Sequence, residues 1–134
     1  MSVDPRAADL FLRTPVNSFL HSRLVHRSAD RVEVRAAVSG AQAQEYGIIQ
    51  GGIVSAVADS AAVYLIIPEA MDRGSVTGVE FKMNFLRPAR SNGGDLVAVA
   101  TPLKIGRRLA VCAVDVTQGE RHVASGVFTY LVGS

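Results

Sequence analysis

One cysteine, no tryptophan and a net charge of only +2 close off several specialised architectures to this 134-residue chain. With Cys112 alone, no intrachain disulfide and no cysteine-based metal cluster can form, which fits a reducing compartment. Aromatic residues make up 6 % of the chain, and no Lys/Arg run exceeds Arg107-Arg108. The basic, aromatic-studded surface of a nucleic-acid binder is therefore not expected. The opening MSVDPRAADLFLR lacks the apolar core of a secretory signal, and no apolar stretch is long and unbroken enough to suggest a membrane span. What the chain does have is 49 % apolar and 19 % charged residues, the balance of an ordered globular protein. A single domain over residues 1–134, cytoplasmic and with one core, is the expectation.

Asp4 as N-cap and Pro5 at the first helical position predict a short helix through Arg13. Phe19, Leu20, Leu24 and Val25 suggest a first strand. Val32, Val34, Ala36 and Val38 alternate with Arg31, Glu33 and Arg35, the period of a half-buried strand. After a loop through Gln42, Gln44 and Gly47, residues 51–67 run apolar on nearly every face. Only Ser55, Asp59, Ser60 and Tyr64 interrupt them, until Pro68 stops the run. Such a helix, roughly 25 Å long, has to be wrapped by other elements. Val79, Phe81, Met83 and Phe85 then alternate with Glu80, Lys82 and Asn84, and three further strands follow over 96–103, 109–117 and 123–132.

One helix set apart from a run of hairpin-connected strands predicts an α+β domain, with an antiparallel sheet of five to six strands wrapped around one long central helix. The last three strands are apolar on both faces, so the face turned from the helix calls for a partner. A homo-oligomer is expected.

The chemistry concentrates at Gly51-Gly52 and Asp59. A glycine pair opening a helix offers unpaired N–H groups and the positive end of the helix dipole to an oxyanion. Asp59 lies two turns on, among alanines. Two readings stay open for it: an acid turned to solvent or bonded to Ser55, or a carboxylate held for catalysis. His21, His26 and His122 are too widely spaced to suggest a metal site. Ser55 and Ser60 have no histidine base nearby in sequence, which makes a serine nucleophile a poor reading.

The segment Gln44-Glu45-Tyr46-Gly47-Ile48-Ile49-Gln50-Gly51-Gly52, followed by Ala58-Asp59-Ser60-Ala61, resembles the hotdog-fold thioesterases of the PaaI-like group, within the 4-hydroxybenzoyl-CoA thioesterase superfamily. Val79 to Ala89 and Lys104-Ile105-Gly106-Arg107-Arg108 resemble that family's strand with a Pro-Ala turn and its Gly-Arg hairpin. The resemblance implies a hotdog fold and hydrolysis of an acyl-CoA, of a small aromatic or short-to-medium acyl group, with no cofactor beyond the coenzyme A of the substrate. It implies that the Gly51 N–H and the Gln44 side chain polarise the carbonyl, while Asp59 of a second copy acts as nucleophile or general base. Gln50 takes the place of the family's usual His. Gly52, Ser60, Val63, Thr77, Gly78, Arg87 and Arg90 join Gln50 as candidate substrate contacts, with Arg107 and Arg108 as further phosphate partners. A dimer or a dimer of dimers is implied. Gln50, which cannot titrate, keeps a non-catalytic acyl-CoA binding or sensing protein as the alternative. A hotdog dehydratase would need a histidine in the site, and none falls within residues 27–121.

Overall fold

The computed structural model describes residues 3–133. Helix α1 (Pro5–Arg13) opens on Asp4, whose side chain caps the Ala7 N–H as its sequence suggests. A second short helix, α2 (Pro15–Phe19), occupies part of the segment expected to begin the first strand. Pro15 is the reason: it breaks α1 but suits the first position of a new helix. The strands are β1 (Ser22–Arg27), β2 (Val32–Ala36), β3 (Val76–Phe85), β4 (Leu96–Ile105), β5 (Leu109–Gln118) and β6 (Arg121–Val132).

They form one antiparallel sheet in the order β1-β2-β4-β5-β6-β3. Helix α3 (Gly51–Val63) lies across its inner face, packed against β2, β4, β5 and β6. Alternation sets which side chains meet it: Val32, Val34, Leu96, Ala98, Cys112, Val114, Phe128 and Tyr130 are all buried beneath or beside the helix.

Helix α3 is shorter than its apolar run suggests, 13 residues or about 20 Å. Pro68 disfavours helical geometry at Ile67, and the residues from Tyr64 on tighten into turns. The Arg27 guanidinium takes up the freed carbonyls of Tyr64 and Ile67, each at 2.7 Å, and also pairs with Asp4 and Glu69. Periodicity alone does not distinguish a buried helix from a buried turn, hence the difference.

Two surfaces are left uncovered. Along α3, Gly52 and Asp59 are exposed and Ala56 and Val63 half-buried, a stripe of near-helical spacing with one acid in it. Beside it, β3 is a ten-residue edge strand whose Val79, Phe81 and Phe85 are all more than half exposed. On the outer sheet face, Leu103, Leu109, Val127 and Leu131 form a second apolar exposure, as the two-faced strands predict. Among the described residues, no helix is long and apolar enough to cross a membrane.

Candidate active site

The chain enters α3 through Gln50, an extended N-cap at φ −62° and ψ 138°. Ile53 and Val54 donate to the Gln50 carbonyl at 2.9 and 3.3 Å. The N–H groups of Gly51 and Gly52 take no acceptor among the described residues, as the first turn of a helix dictates. The entry loop is held by backbone bonds, Gln44 N–H to Ile48 O at 2.7 Å and Ile49 N–H to Ala89 O at 2.8 Å. Gln118, buried, fixes the neighbouring turn by accepting from the Arg90 N–H and donating to the carbonyls of Arg90 and Gly94. The Phe85 ring sits so close to Gly51 that a Cβ there would lie 3.0 Å from Cζ. A cleft of about 400 Å³ runs past Gln44, Gly51, Phe85, Arg87 and Pro88.

Asp59 is exposed on the open stripe. The Tyr130 hydroxyl donates to its Oδ1 at 2.5 Å. Tyr130 is 3 % exposed, and burial, followed by the Asp59 charge and their hydrogen bond, pushes its hydroxyl well above the ordinary phenol range. A second cleft, about 410 Å³, is lined by Asp59, Gly78, Phe81, Phe128 and Tyr130 among others, with the Phe81 and Phe128 rings stacked at 5.0 Å. Sequence reasoning passed over Tyr130. Its inward parity in β6, between Phe128 and Val132, was the available signal, because a buried tyrosine needs a partner for its hydroxyl.

The remaining candidates divide. Gln44 and Gly51 line one cleft and Asp59 and Gly78 the other. Arg87 lines the Gly51 cleft and donates to the His122 carbonyl. Gly52 is exposed at the helix start. Gln50 instead faces a neighbouring hollow with Phe19, Gln42 and Ile53. Arg90 is exposed and its backbone, not its side chain, is tied down. Ser60 is not in the cleft: one residue turns a helix by about 100°, and its hydroxyl donates to Asn17 Oδ1 at 3.2 Å in the interior. Thr77 is also misplaced, because it pairs with the outward Leu131 while Gly78 pairs with Tyr130, and a strand reverses face at each residue. Val63 lies one turn beyond Asp59, half-buried at the end of the stripe, and lines neither cleft. Arg107 and Arg108 gather with Arg73 around a hollow of about 360 Å³.

Gly51 and Asp59 stand eight residues apart, about 12 Å along the axis of α3. Both cannot reach one carbonyl group from within the same chain. Comparison with known proteins agrees with this arrangement of turn, helix and sheet: the model of the Thioesterase superfamily matches residues 46–125, from the entry loop of α3 into β6.

The chain belongs to the thioesterase superfamily.

A thioesterase family protein from Silicibacter pomeroyi superposes with a TM-score of 0.83 at 32 % identity, over 96 % of either chain. AziG of S. sahachiroi gives 0.81 at 28 %, over 88 % of this chain and 95 % of its own. A mutant of the phenylacetic acid degradation protein PaaI from Thermus thermophilus gives 0.76 at 24 %, over 88 % of this chain and 98 % of its own, a likeness of fold. The hotdog architecture stands, and this superfamily member is a hydrolase acting on thioesters.

Proposed function

We propose that the protein hydrolyses acyl-CoA thioesters, with small aromatic or short-to-medium acyl groups, at sites shared between two copies of the chain. The observation that carries the reading is the rise of about 12 Å along α3 from Gly51, with its free N–H, to Asp59, beside an open helix stripe and an unpaired β3 edge. Antiparallel pairing of β3 with its own copy, about a two-fold between Phe81 and Lys82, would set Gly78 of one chain opposite Phe85 of the other. That register joins the Asp59 cleft to the Gly51 cleft. The apolar outer sheet face offers a second contact, for a dimer of dimers.

In this reading the thioester carbonyl oxygen lies against the Gly51 N–H, with Gln44 as a second donor. Negative charge builds there as the carbonyl is attacked, and each preorganised donor lowers the barrier by about 3 kcal/mol. Asp59 of the other copy either draws a proton from the attacking water or attacks the carbonyl itself. The C–S bond breaks and coenzyme A leaves as the thiol, with a proton that comes from water. The acyl group leaves as the free acid, directly when water attacks, or after water hydrolyses the acyl–Asp59 anhydride when the carboxylate attacks. No cofactor enters. Arg87 and Arg90, together with Arg107 and Arg108, are the cations proposed for the phosphates of coenzyme A.

A thiol-trapping assay over arylacetyl-, benzoyl- and linear acyl-CoAs tests the activity and its range. Asp59→Asn is expected to slow thiol release by about 10²- to 10⁴-fold while the oligomer persists. Unchanged turnover in that variant would remove Asp59 from the mechanism.

A further inference from the structure

We propose that Tyr130 is a positioning residue that clamps Asp59 by Oδ1 and leaves Oδ2 as the oxygen presented to water or to the acyl carbon. The inference rests on the role proposed above for Asp59. An aspartate on an exposed helix stripe has a broad terminal torsion and no fixed orientation of its own. Here one hydroxyl proton has two acceptors within reach, Oδ1 at 2.5 Å and the Asp59 carbonyl at 3.3 Å. The nearer, charged oxygen takes it.

The clamp is rigid because its base is buried. Tyr130 projects from the inner face of β6, paired to Ala110 on one side and Gly78 on the other. A Cβ at Gly78 would lie 4.0 Å from the tyrosine ring, an ordinary contact, so the ring lies flush beside this strand position. The ring therefore reaches from the core to the cleft floor and ends at the carboxylate. Burial and the adjacent charge keep the hydroxyl protonated, so it is a permanent donor.

Tyr130→Phe removes the hydroxyl and keeps the ring. The expected result is a fall in kcat of about 10- to 100-fold with KM changed less than about twofold, the pattern of a reacting group that has lost its orientation. Added to Asp59→Asn, the same change is expected to leave the residual rate where it was. A further fall there, or an undiminished kcat in the single variant, would overturn the clamp. An inactive Asp59→Asn beside a fully active Tyr130→Phe sinks the clamp alone, whereas a fully active Asp59→Asn sinks it together with the proposed role of Asp59. A readout free of activity is the infrared difference spectrum of ring-labelled protein with and without Asp59→Ala. The C–O stretch of one tyrosine is expected to move, and an unchanged spectrum contradicts the bond.

Discussion

A Gly51→Pro chain mixed with an Asp59→Asn chain is expected to regain activity that neither possesses alone. The first change deletes the N–H proposed to hold the oxyanion. Gln50 already has the extended geometry that a residue before proline adopts, and proline is favoured at the first helical position. The lost N–H has no acceptor among the described residues, and the crowded Phe85 ring, 55 % exposed, has room to swing aside. Folding is therefore spared, while turnover falls by about 10²- to 10³-fold. Asp59→Asn changes an exposed side chain and keeps an oxygen for Tyr130 to bond, yet loses about 10²- to 10⁴-fold. After random exchange of equal amounts, about half of the dimers are mixed, and a two-fold interface gives each mixed dimer one intact site and one doubly damaged site. The mixture is expected to reach about a quarter of the wild-type rate, read by thiol release after native mass spectrometry confirms exchange. If both groups served one site from the same chain, every site would carry a lesion. A mixture no faster than the sum of its parts refutes the shared site.

Gln118→Ala deprives the Arg90 N–H, the Arg90 carbonyl and the Gly94 carbonyl of their partner, and is expected to lower urea stability by about 2 to 3 kcal/mol and to slow turnover through the loop that abuts Ile48 and Ile49. Wild-type stability in that variant would show the clamp to be idle. Gly126→Ala puts a Cβ 2.3 Å from Met83 Sδ and 2.4 Å from the Lys82 carbonyl, so β3 must shift. A loss of about 1 to 3 kcal/mol and a smaller species in size exclusion are expected, and a stable, full-size variant would contradict the close approach. Glu33 is 3 % exposed, and although burial opposes its charge, hydrogen bonds from Arg31 and Arg35 hold its carboxyl below the ordinary 4.5. Its contribution to stability is therefore complete above that ordinary value and disappears as pH falls through the lower folded one. Glu33→Gln is expected to destabilise at pH 7 and to differ little from wild type at strongly acid pH; a gap that persists in acid would refute the linkage.

Much of the fold was legible because alternation and breakers are local signals. The parity of Val32 to Ala36 and of Phe81 to Phe85, the Pro88 stop and the Asp4 cap all correspond to features of the structure, while Val79 falls in a bulge. The glycine pair and Asp59 were legible as a motif. What escaped were relations between distant segments. Thr77 and Gly78 differ by one step of register, which depends on pairing with β6 and on the bulge between Gly78 and Glu80. Ser60 read as a neighbour of Asp59, yet helix rotation hands it to Asn17. Tyr130 lies 71 residues from the acid it bonds, and nothing local to either residue announces the other.

The distance along α3 between turn and acid has a consequence for supply as well as for chemistry. If half of each reaction centre must come from another molecule, thinning the protein out is itself an inhibitor. Below the concentration at which pairs dissociate, output falls with the square of the amount present, so a cell that makes a little of this enzyme gains almost nothing from it.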